Sequence, residues 1–154
     1  MEEKQYLSKE KFDQLSEELR ELKTEKRREV AEKLEFAKSL GDLSENAEYQ
    51  EARDDQAKTE DRISNLEALL KFAEIVSHEK SDVASVGSVV VVRKKGQTNE
   101  QTFSIVGSEE VDMTTGKISN KSPLGMAILN KTKGDVVVFN APNGELEYTI
   151  IDVK

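Results

Sequence analysis

Two apolar series at helical spacing, divided by a single glycine, constrain this chain more than anything else in it. Phe12, Leu15, Leu19 and Leu22 follow one another at steps of 3, 4 and 3, and the stripe resumes at Val30, Leu34 and Ala37. A second series, Ala52, Gln56, Thr59, Ile63, Leu66, Leu70 and Ala73, alternates steps of 4 and 3 throughout. Such spacing is that of a coiled-coil seam, one face of a helix buried against another. Between the two series lies Gly41, the only glycine before Gly87. A break of a few residues allows only an antiparallel return, so residues 1–77 are predicted to form a helical hairpin. Leu15, Leu19 and Leu22 should face Ile63, Leu66 and Leu70 at its base, and the tip should be least well packed. The step from Leu22 to Val30 is one residue longer than a heptad, a stutter that locally unwinds a supercoil without ending the helix. Arms of about 33 residues at about 1.5 Å each predict a rod of about 50 Å. Ser8 is placed to cap the first arm.

The second half is built differently. The first 80 residues hold 15 basic and 22 acidic side chains, the remainder only 8 and 9. With 36% hydrophobic residues in 154, one compact core is less suited to this chain than an extended helical element and a small module. Val86-Gly87-Ser88-Val89-Val90-Val91-Val92 is β-branched and short, and reads as a buried strand ending in the turn Arg93-Lys94-Lys95-Gly96. Gln101–Val106 alternates as its partner would. Ser122-Pro123 opens a short helix through Leu124, Ala127, Ile128 and Leu129, with serine as cap and proline at the first position. Val136–Phe139 and Leu146–Ile151 flank Asn143-Gly144, a strong hairpin signal. The expected fold class is therefore α+β: an N-terminal antiparallel coiled-coil hairpin (1–77), a linker (78–85), and an antiparallel sheet with one helix (86–154).

Composition excludes several functions. The net charge of -8 argues against bulk attraction to nucleic-acid phosphates. The absence of cysteine excludes disulfides and thiolate metal sites. The N-terminus, Met1-Glu2-Glu3-Lys4-Gln5, has no apolar signal core, and no run reaches the roughly 18 apolar residues of a membrane helix. The expected location is the cytoplasm, with no membrane partner. No phosphate loop, dinucleotide glycine motif or zinc-ligand set occurs. His78, the one histidine, is expected on the surface, and Met113 and Met126 are expected to be packing residues.

The hairpin turn is the place where chemistry is concentrated. Asp42 and Glu45 stand in the segment Gly41-Asp42-Leu43-Ser44-Glu45-Asn46-Ala47-Glu48-Tyr49. On spacing alone, D-x-x-E imitates a capping box, with Asp42 or Ser44 as cap of the second arm. The alternative is a two-carboxylate site on the end of a rod narrow enough to enter a channel.

The turn segment, with Ala52-Arg53 after it, resembles the tip motif of the Gre family of bacterial transcript cleavage factors, nearest its GreA branch. Ser122-Pro123-Leu124-Gly125, Ala127, Gly134-Asp135, Pro142 and Tyr148 resemble that family's C-terminal signature. The resemblance covers essentially the whole chain. It implies a C-terminal domain similar in fold to FK506-binding prolyl isomerases (FKBP-like) but used for docking. It further implies binding to RNA polymerase, insertion of the coiled coil into the secondary channel, and stimulation of the polymerase's own hydrolysis of backtracked RNA. The partners would be RNA polymerase and the nascent RNA 3′ end, with the factor acting as a monomer and not as an enzyme itself.

By the same resemblance, the acidic tip residues fall on Asp42 and Glu45, which would help hold a Mg²⁺ ion shared with the polymerase. Lys38 and Arg53 fall on basic positions close to the RNA or the channel wall. Arg20, Lys23 and Arg27, with Lys26 and Arg28 beside them, form a basic face of the kind such factors turn to RNA. Glu17, Glu21, Glu25 and Glu29 interleave with them, and ordinary helix ion pairs account for the face equally well. Two further functions stay open: a cleavage-incompetent antagonist that blocks the same channel, and a non-catalytic coiled-coil adaptor whose tip acids are caps.

Overall fold

The structure, a computed structural model, describes residues 4–77 and 81–154. His78 and the first part of the expected linker lie outside the described residues. The chain divides into two compact units, one of residues 12–72 and one of residues 1–11 with 73–154.

The first unit is the helical hairpin. Its outgoing arm comprises helix α1 (Lys9–Glu21), a π-helical turn (Leu22–Lys26) and helix α2 (Arg27–Ser39), and its return arm is the single 25-residue helix α3 (Ala47–Lys71). The stutter is absorbed in the π turn, where the Arg27 N–H reaches back five residues to the Leu22 carbonyl. One wider turn takes up the surplus residue, so that Leu15 before it and Val30, Leu34 and Ala37 after it are all buried. From α3 the seam contributes Ala52, Thr59, Ile63 and Leu66. Thr59 is tolerated there because its hydroxyl donates to the Asp55 carbonyl at 2.8 Å. Gln56, expected in the seam, is exposed. Nor is the upper part of the hairpin loose: Val30, Leu34 and Ala52 form a core to which Tyr49 adds its ring.

The return arm is shorter than expected. Helix α3 stops at Lys71, giving about 38 Å of paired length at about 1.5 Å per residue, against the expected 50. Ala73, assigned to the seam by spacing, instead begins strand β2 (Ala73–Ile75), which runs parallel to strand β1 (Gln5–Leu7). The Val76 N–H continues the ladder to the Leu7 carbonyl at 2.8 Å. Because this ribbon belongs with the sheet module, the division falls at residues 11/12 and 72/73 and not at the expected linker. Pairing between segments some 70 positions apart leaves no local period to read.

The second unit is an α+β module. Its five-stranded sheet has the order β5-β4-β3-β7-β6, made of β3 (Val89–Lys94), β4 (Glu100–Val106), β5 (Lys117–Ser119), β6 (Val136–Ala141) and β7 (Gly144–Val153). The expected β3/β4 and β6/β7 pairs are present and antiparallel. The sheet is not wholly antiparallel, since the unforeseen strand β5 pairs parallel with β4. Three residues of β5 carry too little alternation to be recognised alone.

Helix α4 (Pro123–Ile128) is capped by Ser122, whose Oγ accepts from the Gly125 N–H at 3.1 Å. Gly125 is required for a second reason. A Cβ there would lie 2.0 Å from the Ser119 carbonyl oxygen, so only glycine lets α4 rest on the end of β5. Ile128 joins Ala84, Val90, Val92, Ile105, Ile118, Val137, Tyr148 and Ile150 in the buried core. Met126 is instead 59% exposed and Met113, in a 3₁₀ turn, 73% exposed, so neither is the packing residue expected of it. Among the described residues no helix is long and apolar enough to cross a membrane.

Candidate functional site at the hairpin tip

The tip begins where α2 ends. Leu40 closes the helix, and Gly41 at φ = 121° turns the chain in a conformation that a side chain would strain. The residue that joins the two arms is Asn46. Its Oδ1 accepts from the Tyr49 N–H at 3.1 Å, capping α3, while its Nδ2 donates to the Ala37 carbonyl at 2.5 Å, in the last turn of α2, which also accepts from the Leu40 N–H. Neither Asp42 nor Ser44 caps the second arm, and Asp42 and Glu45 do not form a capping box. Asparagine is as good a cap as aspartate, so nothing in residue type ranked the expected Asp42 and Ser44 above Asn46, which was not expected to cap. Asn46→Ala should therefore lower hairpin stability by about 1–2 kcal/mol in a urea melt, and Asp42→Ala by less. Equal effects would mean that the cap is shared.

Relieved of capping, the two acids sit differently. Asp42 Oδ1 accepts from the Ser44 N–H at 3.0 Å and from the Ser44 hydroxyl at 2.8 Å, a local turn that leaves Oδ2 uncommitted. These bonds, from the backbone N–H first and the hydroxyl second, hold the Asp42 carboxyl below the usual aspartate range. What the turn contributes is present above the unfolded-state pKa and is lost as pH falls through the lower folded-state pKa. A carbon-detected NMR titration should find Asp42 ionised to lower pH than an unstructured aspartate, and Ser44→Ala, which removes the hydroxyl bond but keeps the N–H bond, should reverse only part of that shift. Asp112 makes the same turn with Thr114 in the sheet module, so this geometry is ordinary backbone chemistry. Glu45 is exposed and enters no hydrogen bond or ion pair among the described residues.

Basic side chains flank the acids. Arg53 is held against Tyr49, donating to its hydroxyl at 3.1 Å with the guanidinium 5.9 Å from the ring centroid. Lys38 is exposed in the last turn of α2, where a cation also complements the helix dipole. Three large apolar side chains that pattern reasoning assigned no role are also exposed around the turn: Phe36, Leu40 and Leu43. They fall between or beside seam positions, and only the structure shows that no neighbour covers them.

The basic face farther down the first arm is committed to carboxylates. Arg27 makes two 2.9 Å hydrogen bonds to Glu60 across the hairpin, and Lys23 reaches Glu67 at 2.7 Å. Arg20 pairs with Glu17 on its own helix, and Lys26 with Asp55 on the other arm. The Arg27 hydrogen bond lowers the Glu60 pKa, and the Arg20 hydrogen bond lowers that of Glu17. Most of these pairs cross between the arms, whereas spacing suggested pairs within one helix. The cross-arm pairs favour the register set by the apolar seam, each contributing little on its own and being screened by salt.

Among the described residues no group of three or more acidic or histidine side chains is arranged to hold a metal ion. Two exposed carboxylates, one with a free oxygen and one wholly free, suit a hard cation such as Mg²⁺ that takes one or two carboxylates and fills its shell from elsewhere.

Comparison with known proteins places this geometry in context. The family described as "Transcription elongation factor, N-terminal" matches residues 5–75, and the family described as "Transcription elongation factor, GreA/GreB, C-term" matches residues 79–154. The chain is 49% identical over 142 residues to the transcription elongation factor GreA of Clostridium acetobutylicum, covering 91% of this chain and 90% of that protein. It is 43% identical over 155 residues to the GreA of Halalkalibacterium halodurans, covering 99% and 98%. The crystal structure of the GreA factor homolog Gfh1 of Thermus thermophilus aligns at 25% identity over 99% of each chain, with a TM-score of 0.43.

Proposed function

Because the chain belongs to the GreA/GreB family of transcription elongation factors, we propose that it stimulates RNA polymerase to cleave backtracked nascent RNA, using the acids of its hairpin tip. One observation carries this: Asp42 and Glu45 are both exposed at the turn and neither is needed to cap a helix, since Asn46 does that work. Two exposed carboxylates that cap no helix, at the end of a helical hairpin, are what delivery into a partner's active centre requires.

In this account the sheet module docks on the polymerase and the hairpin enters the secondary channel. The bond-breaking activity belongs to the polymerase, and this protein is an accessory factor acting in the cytoplasm. Asp42 and Glu45 would hold a Mg²⁺ ion together with polymerase and RNA oxygens. Such an ion supplies an activated water and stabilises the charge on the entering and leaving oxygens. The remaining tip residues position. Asn46 fixes the turn by joining both helix ends, and the Ser44 bonds keep Asp42 ionised and leave its second oxygen open. Arg53, steadied by Tyr49, and Lys38 offer positive charge beside the acids for the RNA backbone. Phe36, Leu40 and Leu43 give the tip apolar surface that a channel wall would cover. Lys23 and Arg27 serve chiefly to hold the arms in register through Glu67 and Glu60, whereas Arg20 is paired with Glu17 on its own helix.

The test is to add the purified protein to a backtracked elongation complex and follow the RNA. Shortened RNA with a released 3′ fragment, dependent on polymerase, is expected. Docking that slows transcription without cleavage would make the protein an antagonist instead, and absence of polymerase binding would leave a helical adaptor.

A further inference from the structure

The five-stranded sheet ends on one side in β6, and no strand among the described residues pairs with its outer edge. The ladder with β7 fixes which backbone groups of β6 face outward. Val138 stands opposite Glu147, whose carbonyl accepts from the Lys95 N–H at 3.0 Å, on the side of β7 away from β6. The Ile150 N–H, by contrast, donates to the Asp135 carbonyl at 2.8 Å, on the β6 side. Backbone bonding alternates between the two sides of a strand, so Val137 and Phe139 bond to β7, while Val136, Val138 and Asn140 turn their N–H and C=O groups outward. Among the described residues those outward groups have no hydrogen-bond partner. The side chains of the same three residues point away from the core that buries Val137 and stand in solvent, Val136 54% and Val138 49% exposed.

Open edges are ordinarily protected against pairing by a lysine, a proline or a bulge within the strand. The sequence of β6, Val-Val-Val-Phe-Asn-Ala, supplies none of these: it carries no charge, and its register with β7 runs unbroken from Val136 to Ala141. A strand that is regular, apolar and open accepts another strand. We propose that this edge is a self-association surface, on which β6 of a second copy of this chain pairs antiparallel about a two-fold axis at Val138. Two observations select that occupant. In this register Val138 meets Val138 of the second copy and Val136 meets Asn140, so no charges are opposed along the strand. The two ends of the strand are also opposite in sign. Lys133 stands just before β6, and Glu145 stands beside its last residues, opposite Asn140. Both are exposed and unpaired among the described residues. Antiparallel pairing brings the lysine end of one copy to the glutamate end of the other, twice by symmetry, whereas parallel pairing would bring like charges together. One pair of six-residue strands buries less than the roughly 1,200–2,000 Å² of stable interfaces, so the dimer forms as the protein is concentrated toward about 1 mM and dissociates on dilution. The pairing concerns the free protein and does not rest on the elongation-factor function proposed above.

The test is sedimentation equilibrium of the full chain between about 10 μM and about 1 mM, with hydrogen exchange at the Val138 amide followed at both extremes. The apparent mass of the unaltered protein should rise from that of one chain toward twice that value, and exchange at the Val138 amide should slow as it does. Val138→Lys and Val138→Glu each oppose like charges at the two-fold axis and should stay monomeric throughout that range. An equimolar mixture of the two opposes lysine to glutamate and should associate again. Lys133→Glu, which lies outside the strand, should also weaken association even if a change within β6 disturbs the fold, and adding Glu145→Lys to it should restore association. A mass that stays that of one chain at about 1 mM overturns the proposal, as does association undiminished in the folded Val138 variants. A mixture of those variants that stays monomeric overturns the antiparallel register centred on Val138. If the unaltered protein is monomeric and Val138→Lys alone fails to compete for polymerase, the edge is a polymerase contact and not a contact between copies.

Discussion

Replacing both tip acids, Asp42→Asn with Glu45→Gln, should leave a protein that folds, competes with the unaltered chain for RNA polymerase, and stimulates RNA cleavage roughly a hundred- to a thousandfold more slowly. The structure makes this pair of changes unusually clean. Asparagine at position 42 keeps an oxygen that can accept from the Ser44 N–H and hydroxyl, so the local turn survives. Helix α3 is capped by Asn46 and loses nothing. Glu45 has no partner among the described residues to release. What the variants lose is negative charge at two exposed positions, and charge is what binds a magnesium ion and retains it near developing charge in a transition state. Raised magnesium should restore part of the rate, because a weakened site can be refilled by mass action. Cleavage by the double variant at the full rate would remove Asp42 and Glu45 from the chemistry and return the tip to a purely structural turn.

The parts of this molecule that follow local periodicity were legible from residues alone. Leu15, Val30, Leu34, Ile63 and Leu66 are buried where their spacing puts them, and the Ser122-Pro123 helix and the hairpin around Asn143-Gly144 stand where their turn chemistry predicts. What escaped depends on partners distant in the chain. Strand β1 and strand β2 are three residues each and exist because they pair with one another, so α3 ends earlier than its heptads suggest. The cap at Asn46 escaped because Asp42, Ser44 and Asn46 are chemically equivalent caps, and the choice is made by Asn46 reaching the Ala37 carbonyl on the other arm. The cross-arm pairing of Lys23 and Arg27 escaped for the same reason. Each has an acidic neighbour within its own helix, and only the packed hairpin shows Glu67 and Glu60 to be nearer. The two acids were singled out by position, and the structure adds that neither caps a helix, with Asp42 engaged only in its local turn with Ser44.

Residues 81–154 expressed alone should fold and compete for polymerase while stimulating no cleavage, the converse of the tip variant. The buried cluster from Ala84 to Ile150 lies within that fragment, as do all five strands of the larger sheet and helix α4. The fragment lacks the β1/β2 ribbon, and with it the buried Leu7 and the Ser8 contacts to Glu110. Burial of one leucine is worth about 1.5–3 kcal/mol, against the roughly 5–15 kcal/mol that a small domain has to spare, so the truncated module should be less stable but still folded. Circular dichroism should show a cooperative melt at a lower temperature than that of the module in the full chain. Because the fragment carries neither Asp42 nor Glu45, it should displace the full-length protein from polymerase and suppress cleavage in a mixture of the two. A fragment without a cooperative melt would mean that the ribbon is integral to the module. A folded fragment that fails to displace the full chain would place docking on the hairpin, and the tip acids would then have to be read together with whatever surface of the two arms holds them to the polymerase.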